Sequence, residues 1–260
     1  MSESAVLVET AGQAGVITIN RPEVLNALDL PTCKSLDDAV SQVEADAAVR
    51  VVVFTGTGRA FVAGGDIADL DSRQGLAHYE EFAEHIHRLF RRIETLDKPT
   101  IAAVNGFALG GGSELMLSTD IRLLSAKAKI GVPEINLGLF PGAGGSQRLI
   151  RQIPLCRAKE LMFTGDAIGA EEAMALGLAN RVVAPEALMD EALALAEKIA
   201  SKSPLVLRLL KRTIDAGADM PMPAALAHEQ AMISLVLDSE DAHEGCRAFL
   251  EKREPTFKGA

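Results

Sequence analysis

The sequence predicts an α/β protein whose C-terminal part is entirely helical. Short apolar runs recur at 50–55, 100–104 and 121–124, the first ended by Gly56 and the second preceded by Pro99. Stretches with apolar residues at helical spacing lie between them. From residue 185 onward strand signals vanish and the chain turns rich in Ala and Leu, with Pro204, Pro221 and Pro223 as punctuation.

Residues 5–9 and 15–20 are short, β-branched and separated by Ala-Gly-Gln-Ala, which predicts an N-terminal hairpin. Residues 31–47 place Cys33, Leu36, Val40, Val43 and Ala47 on one helical face, with Asp29 as a cap. The run 50–55 is continuously apolar, as a strand buried on both faces must be. Gly56, Gly58 and the pair Gly64-Gly65 then break the chain. A helix over 77–95 puts Phe82, Ile86, Leu89 and Ile93 on its inner face and Arg88, Arg91 and Arg92 on a solvated one, and Lys98-Pro99 stops it. A buried strand at 100–104, a helix starting near Gly112 and a strand at 121–124 repeat the order. Such alternation implies an α/β core. Helices are expected at 186–201, 204–216, 223–237 and 240–250. The chain thus divides into a core over 1–190, which carries the active site, and a helical region over 191–260. No Gly/Ser linker joins them, so the helices should pack on the core or on a neighbouring subunit.

Composition narrows the function. The chain is 48% hydrophobic and 24% charged with a net charge of −10. An acidic surface repels phosphate backbones and anionic lipid, so neither nucleic acid nor membrane is an expected partner. A local cluster of backbone N–H groups could still hold an anionic small molecule. Cys33, Cys156 and Cys246 are odd in number with no CxxC pair, which fits free thiols in a reducing compartment. The start lacks a basic segment followed by an apolar run, and no stretch is long enough to span a bilayer, so the cytoplasm is the expected location. The five histidines are scattered, and His85 and His87 face different sides of a helix, so no metal site is expected. There is no Gly-x-Ser-x-Gly elbow.

Three segments carry candidate chemistry. In Phe61-Val62-Ala63-Gly64-Gly65-Asp66-Ile67 two glycines allow a tight turn and close approach to bare N–H groups, although taken alone the segment reads best as a structural turn. In 105–115 three consecutive glycines, Gly110 to Gly112, precede a helix and Glu114. A helix N-terminus stripped of side chains aims N–H donors at negative charge, and a close helix–strand crossing is the competing explanation. In 132–146 Glu134 follows a proline in apolar company, and a glycine-rich stretch begins at Gly142. No Gly-Lys-Ser/Thr follows, so that stretch is not a phosphate loop. Two carboxylates beside an oxyanion site match what addition of water to a conjugated thioester requires. One holds and deprotonates water at Cβ, the other supplies a proton at Cα, and the N–H pair stabilises the enolate between these events. Repulsion and desolvation favour one proton shared by the pair near neutral pH.

These segments, together with the opening Asn20-Arg21-Pro22-Glu23-Val24-Leu25-Asn26-Ala27-Leu28 and the closing stretch from Glu244-Gly245 to Arg253, resemble the enoyl-CoA hydratase/isomerase (crotonase) family across essentially the whole chain. The resemblance implies a crotonase-like spiral of ββα units with a C-terminal helical trimerisation region, assembled as a homotrimer or a hexamer of two trimers. It implies that the N–H groups of Gly65 and Gly111 form the oxyanion hole, that Glu114 positions and activates water, and that Glu134 protonates Cα. It places Val24, Leu25, Ala63, Gly64, Gly65, Asp66, Ile67, Ala68, Gly111, Gly142 and Lys252 along the thioester. Coenzyme A enters as part of the acyl-CoA substrate, with no separate cofactor. Ala68 stands where a lysine often follows the Asp-Ile pair, and Ile233 where an aromatic residue often touches the cofactor. Presence of both glutamates favours the hydratase branch. The competing expectations are isomerisation, hydration of a branched, cyclic or carnitine-derived acyl group, and a non-catalytic acyl-CoA-binding subunit.

Overall fold

The structure, a computed structural model, describes residues 4–260. The chain opens with an antiparallel hairpin, β1 (Val6–Ala11) and β2 (Ala14–Ile19). Next come α1 (Leu30–Ala45), β3 (Val51–Gly56), β4 (Ala60–Val62), α2 (Ile67–Ser72) and α3 (Leu76–Glu94). The following unit comprises β5 (Thr100–Val104), β6 (Phe107–Leu109) and α4 (Gly111–Leu117). The third has β7 (Ile121–Ser125), β8 (Lys129–Gly131), a 3-10 turn (Pro133–Leu137), α5 (Gly145–Gln152) and α6 (Leu155–Thr164). Then follow β9 (Ala167–Gly169), α7 (Ala170–Ala175) and β10 (Arg181–Val183). The chain ends in α8 (Leu188–Ala200), α9 (Pro204–Ala218), α10 (Met222–Leu237) and α11 (Glu240–Glu251).

Two sheets organise these elements. The larger has the order β1-β2-β3-β5-β7-β10 and the smaller β4-β6-β8-β9. Three successive units, beginning at β3, β5 and β7, each give their first strand to the large sheet and their second to the small one before a helix returns the chain. Apart from the β1–β2 and β8–β9 pairs, neighbouring strands run parallel. The result is the expected spiral of ββα units.

The inner strands of the large sheet are buried on both faces, which explains their continuous apolar runs. Side chains alternate along a strand. Val52, Phe54, Ala102, Val104 and Leu124 therefore enter the main core with α1 and α3, while Val51, Val53, Ile101, Ala103 and Leu123 meet α8 on the other face. Ala192, Ala196 and Ala200 recur every fourth residue along α8 and bring it flat onto the sheet. The division expected between 190 and 191 falls inside this helix, so the helices that leave the sheet begin at α9.

Local chemistry accounts for most boundaries. Asp29 caps α1 by accepting from the Thr32 N–H at 2.7 Å. That helix ends at Ala45, leaving Ala47 exposed beyond its end, not on its buried face. The three arginines of α3 divide their roles. Arg92 binds Asp37 and Glu44 on α1, Arg91 pairs with Glu94, and Arg88 stays mostly exposed beside Asp37. The short α4 is anchored from below by buried Arg122, which donates to the carbonyls of Met116, Leu117, Thr119 and Leu178 and to Gln152. These bonds satisfy carbonyls that a helix C-terminus leaves unpaired.

Candidate active site

The expected site residues converge where the small sheet meets the starts of α2 and α4. The opening motif is the brace for this convergence. Asn26 is fully buried, and its Nδ2 donates to the carbonyls of Thr57, Ala60 and Phe61 while its Oδ1 accepts from the Arg21 N–H. Arg21 in turn donates to the Ala27 carbonyl and pairs with Asp29 and Asp66. The loop holding Val24 and Leu25 is thereby laid along 63–66. The Ala63 N–H donates to Leu25, and the Leu28 N–H donates to Gly64.

This pairing orients the Gly65 amide. Leu28 forms a parallel bridge with Gly65, bonding to the Gly64 carbonyl and the Asp66 N–H. In a parallel ladder the residue between those two partners points its own N–H and carbonyl the opposite way. The Gly65 N–H therefore faces away from Leu28, toward the start of α4. A Cβ built on Gly111 would lie 3.6 Å from the Gly65 nitrogen. Gly111 is the first residue of α4, whose N–H has no partner within the helix. Two N–H donors from distant stretches thus line one gap. Gly112 has the other role considered for this run. A side chain there would collide with the Val62 carbonyl, so it is the close helix–strand crossing.

Glu114 is 2% exposed and lies one turn into α4. Its Oε1 accepts from the N–H groups of Ala143 and Gly145 at 2.8 and 2.7 Å. Burial pushes its carboxyl up to about 7, those two N–H bonds pull against the rise, and the charge of Glu134 adds to it. Glu134, on the 3-10 turn, is raised chiefly by burial, with its own backbone N–H opposing. Its Oε2 is shut from solvent without a hydrogen-bond partner among the described residues. A side chain on Gly110 would meet Glu134 Oε1 at 3.0 Å, so this carboxyl lies against the residue preceding Gly111. The site therefore combines a held carboxylate, a second carboxyl with an unused buried oxygen, and a pair of N–H donors. That set can orient a small nucleophile, move a proton and stabilise a developing oxyanion.

The remaining expected positions are less centred. Asp66 caps α2 through the N–H groups of Ala68 and Asp69, while Ile67 and Ala68 are exposed on its first turn. Gly142 is exposed on the loop that carries Ala143 and leads into α5 at Gly145. Lys252 terminates α11, and no described hydrogen bond or ion pair links it to the two glutamates. Ile233 lies on α10 in an apolar groove of about 510 Å³ between α9 and α10. Among the described residues, no group of three His, Cys, Asp or Glu side chains could hold a metal ion, and no helix is long and apolar enough to cross a membrane.

Ala143 and Gly145 were not among the expected site residues, although their amides hold Glu114. The glycines around them were legible only as a failed phosphate loop. The missing signal was the need of a buried carboxylate for donors.

Comparison with known proteins bears on the whole arrangement. A family model described as enoyl-CoA hydratase/isomerase matches residues 9–260. A short-chain-enoyl-CoA hydratase of Clostridium acetobutylicum is 42% identical over 254 residues, covering 97% of each chain. A crotonyl-CoA hydratase of Syntrophomonas wolfei is also 42% identical, covering 99% of each. A crystal structure of an enoyl-CoA hydratase from Bacillus anthracis superposes with a TM-score of 0.95 at 38% identity, covering 99% of this chain and 100% of that one.

Proposed function

The chain belongs to the enoyl-CoA hydratase/isomerase family, and from that premise we propose that it adds water reversibly to a 2-trans-enoyl-CoA, giving the 3-hydroxyacyl-CoA. The observation that carries this reading is the buried Glu114 carboxyl and the half-buried Glu134 carboxyl, set beside the Gly65 and Gly111 amides.

The thioester carbonyl oxygen accepts from the Gly65 and Gly111 N–H groups, which withdraws electron density from Cβ. The Glu114 carboxylate orients a water molecule and takes its proton as the oxygen bonds to Cβ. The π pair moves to the Cα–carbonyl bond, and an enolate forms under the two amides. Protonated Glu134 then delivers its proton to Cα and the carbonyl re-forms. In the reactive form the pair's one proton starts on Glu134 and ends on Glu114, and the form that starts with Glu114 protonated does not react. Both carboxyls serve one face of the double bond, so the addition is syn. Val24, Leu25, Ala63, Gly64, Asp66, Ile67 and Ala68 lie along the path of the coenzyme A arm, with Gly142 and Lys252 at its margins. Coenzyme A is part of the substrate in this scheme, and no other cofactor takes part.

Mixing the protein with crotonyl-CoA is expected to remove the absorbance of the conjugated enoyl thioester, and a panel of chain lengths and branched acyl groups defines its range. Binding of thioester without turnover anywhere on that panel would instead identify an acyl-CoA-binding subunit.

We also place the protein in a reducing, cytoplasmic setting, consistent with its three free cysteines, and assemble it as a homotrimer or a hexamer of two trimers through α9 and α10. Helix α10 buries none of its residues within one chain, and Leu210, Ile214, Met222, Leu226 and Ile233 expose apolar surface along its groove with α9. Light scattering should return three or six times the chain mass, and a monomer would refute the assembly.

A further inference from the structure

We propose that Arg148, held by Glu94, is a positioning residue for Glu114. This rests on the reading of Glu114 as the group that handles water. The amides that hold Glu114 lie where a short loop, at Ala143, enters α5, at Gly145, and something must keep that junction in place. Arg148 on α5 does so from behind. Its Nη1 donates to the Ala143 carbonyl at 3.2 Å. Its Nε and Nη2 donate to the two carboxylate oxygens of Glu94 at 3.2 and 3.0 Å. Glu94 ends α3, which packs into the main core through Ile86, Leu89, Phe90 and Ile93. The loop, and through it the Glu114 carboxylate, is thus tied to a rigid helix 54 residues away in sequence.

Two further observations support a clamp over an incidental ion pair. The Arg148 side chain is only 13% exposed, and its planar fork is engaged at three points, a geometry that lysine cannot reproduce. Gly144, with φ of +105°, lies directly against the guanidinium, and any side chain there would collide with it. The loop is therefore shaped around the arginine. Arg148 makes no direct hydrogen bond to Glu114, so it acts through the Ala143 and Gly145 amides and through its charge, which favours the ionised carboxylate.

The other charged or titratable groups around the clamp are Arg91 and His87 on α3, Arg151 on α5, Asp219 at the end of α9, Asp215 on α9, Asp120, Arg122 and Lys211 in the cleft on the other side of Glu94, and, across the site, Glu134. None of them takes both a loop carbonyl and the Glu94 fork. Loss of the clamp should therefore loosen the amides on Glu114, which raises its protonation midpoint.

The test compares Arg148→Lys and Glu94→Gln with the parent protein. In each folded variant kcat for crotonyl-CoA should fall about tenfold or more with KM changed less than twofold, because a displaced reacting group slows chemistry without weakening thioester binding. The acid limb of the kcat profile of Arg148→Lys should move to higher pH. An infrared pH titration of the Glu114 carboxyl, with its band assigned through Glu114→Gln, should show a midpoint above the parent value of about 7 in Arg148→Lys, whereas in Glu94→Gln the loss of an anion beside Arg148 opposes that rise. Unchanged kcat and an unchanged Glu114 midpoint in a folded variant, with only thermal stability lowered, would reduce the clamp to a structural ion pair. The infrared midpoint needs no substrate. If the parent hydrates no enoyl-CoA, the functional reading fails while the titration still decides the clamp.

Discussion

Glu114→Gln is expected to lower the hydration rate by about 10³-fold or more while leaving thioester binding in place, and to make the protein more stable above neutral pH. The first effect follows from the loss of a positioned proton acceptor, worth roughly 10²- to 10⁴-fold in acid–base catalysis, together with the loss of the group that holds water. The second follows from burial. In the folded protein this carboxyl is pushed up to about 7 from an ordinary 4.5. Folding therefore favours its neutral form. The stability that it supports is complete below the unfolded value and is lost as pH rises through the folded one. Glutamine carries no such loss and keeps an oxygen that can accept from the Ala143 and Gly145 amides. Chemical denaturation should find the variant ahead of the parent at pH 8, by up to about 3 kcal/mol, and level with it at pH 4. Glu134→Gln should lower the rate comparably. Parent-like turnover in either variant, or parent-like stability of Glu114→Gln at pH 8, would contradict the account.

Gly145→Ala should damage the reaction nearly as much without removing any reactive group. The added Cβ would sit 2.8 Å from both Cγ and Oε1 of Glu114 and 2.9 Å from the Pro141 Cβ. Either the carboxylate or the loop must give way, and overpacking of this kind costs about 1–3 kcal/mol of stability. Because one amide holding Glu114 belongs to residue 145 itself, any relief displaces the carboxylate. A misplacement of this size should lower kcat by about 10²-fold with KM little changed. Steady-state kinetics on folded variant protein settles the point, and an unaltered kcat would mean that the placement of Glu114 tolerates a shift of its loop.

How much of this was legible beforehand depended on which physical signal each part leaves in a linear chain. Long strands of the large sheet were readable because burial on both faces forces unbroken apolar runs, as at Val51–Gly56 and Thr100–Val104. Strands of the small sheet were not, apart from Phe61 and Val62, which read as the end of a strand ahead of Gly64-Gly65. Ala60–Val62, Phe107–Leu109, Lys129–Gly131 and Ala167–Gly169 have three residues each, too few for any period to emerge. Helices α5 to α7 escaped for a related reason, since each is short and borders glycines that read as loop. Glu114 and Glu134 stood out as lone acids in apolar sequence, which burial requires to be functional or well supported. Their supports were invisible. The dependence of Glu114 on Ala143 and Gly145, and of that segment on Arg148 and Glu94, joins three stretches that only folding brings together. The orientation of the Gly65 amide is likewise a property of its bridge with Leu28 and has no local sequence signal.

The account's central claim is that water itself is joined to the double bond, oxygen at Cβ and proton at Cα. The most direct measurement is mass spectrometry of the thioester product formed from crotonyl-CoA in water enriched in oxygen-18 and deuterium. The prediction is one oxygen-18 at C3 and one deuterium at C2 in a 3-hydroxyacyl product, with neither label incorporated by Glu114→Gln on the same timescale. Deuterium at C2 with no oxygen-18, or an isomerised enoyl thioester carrying no hydroxyl, would contradict it.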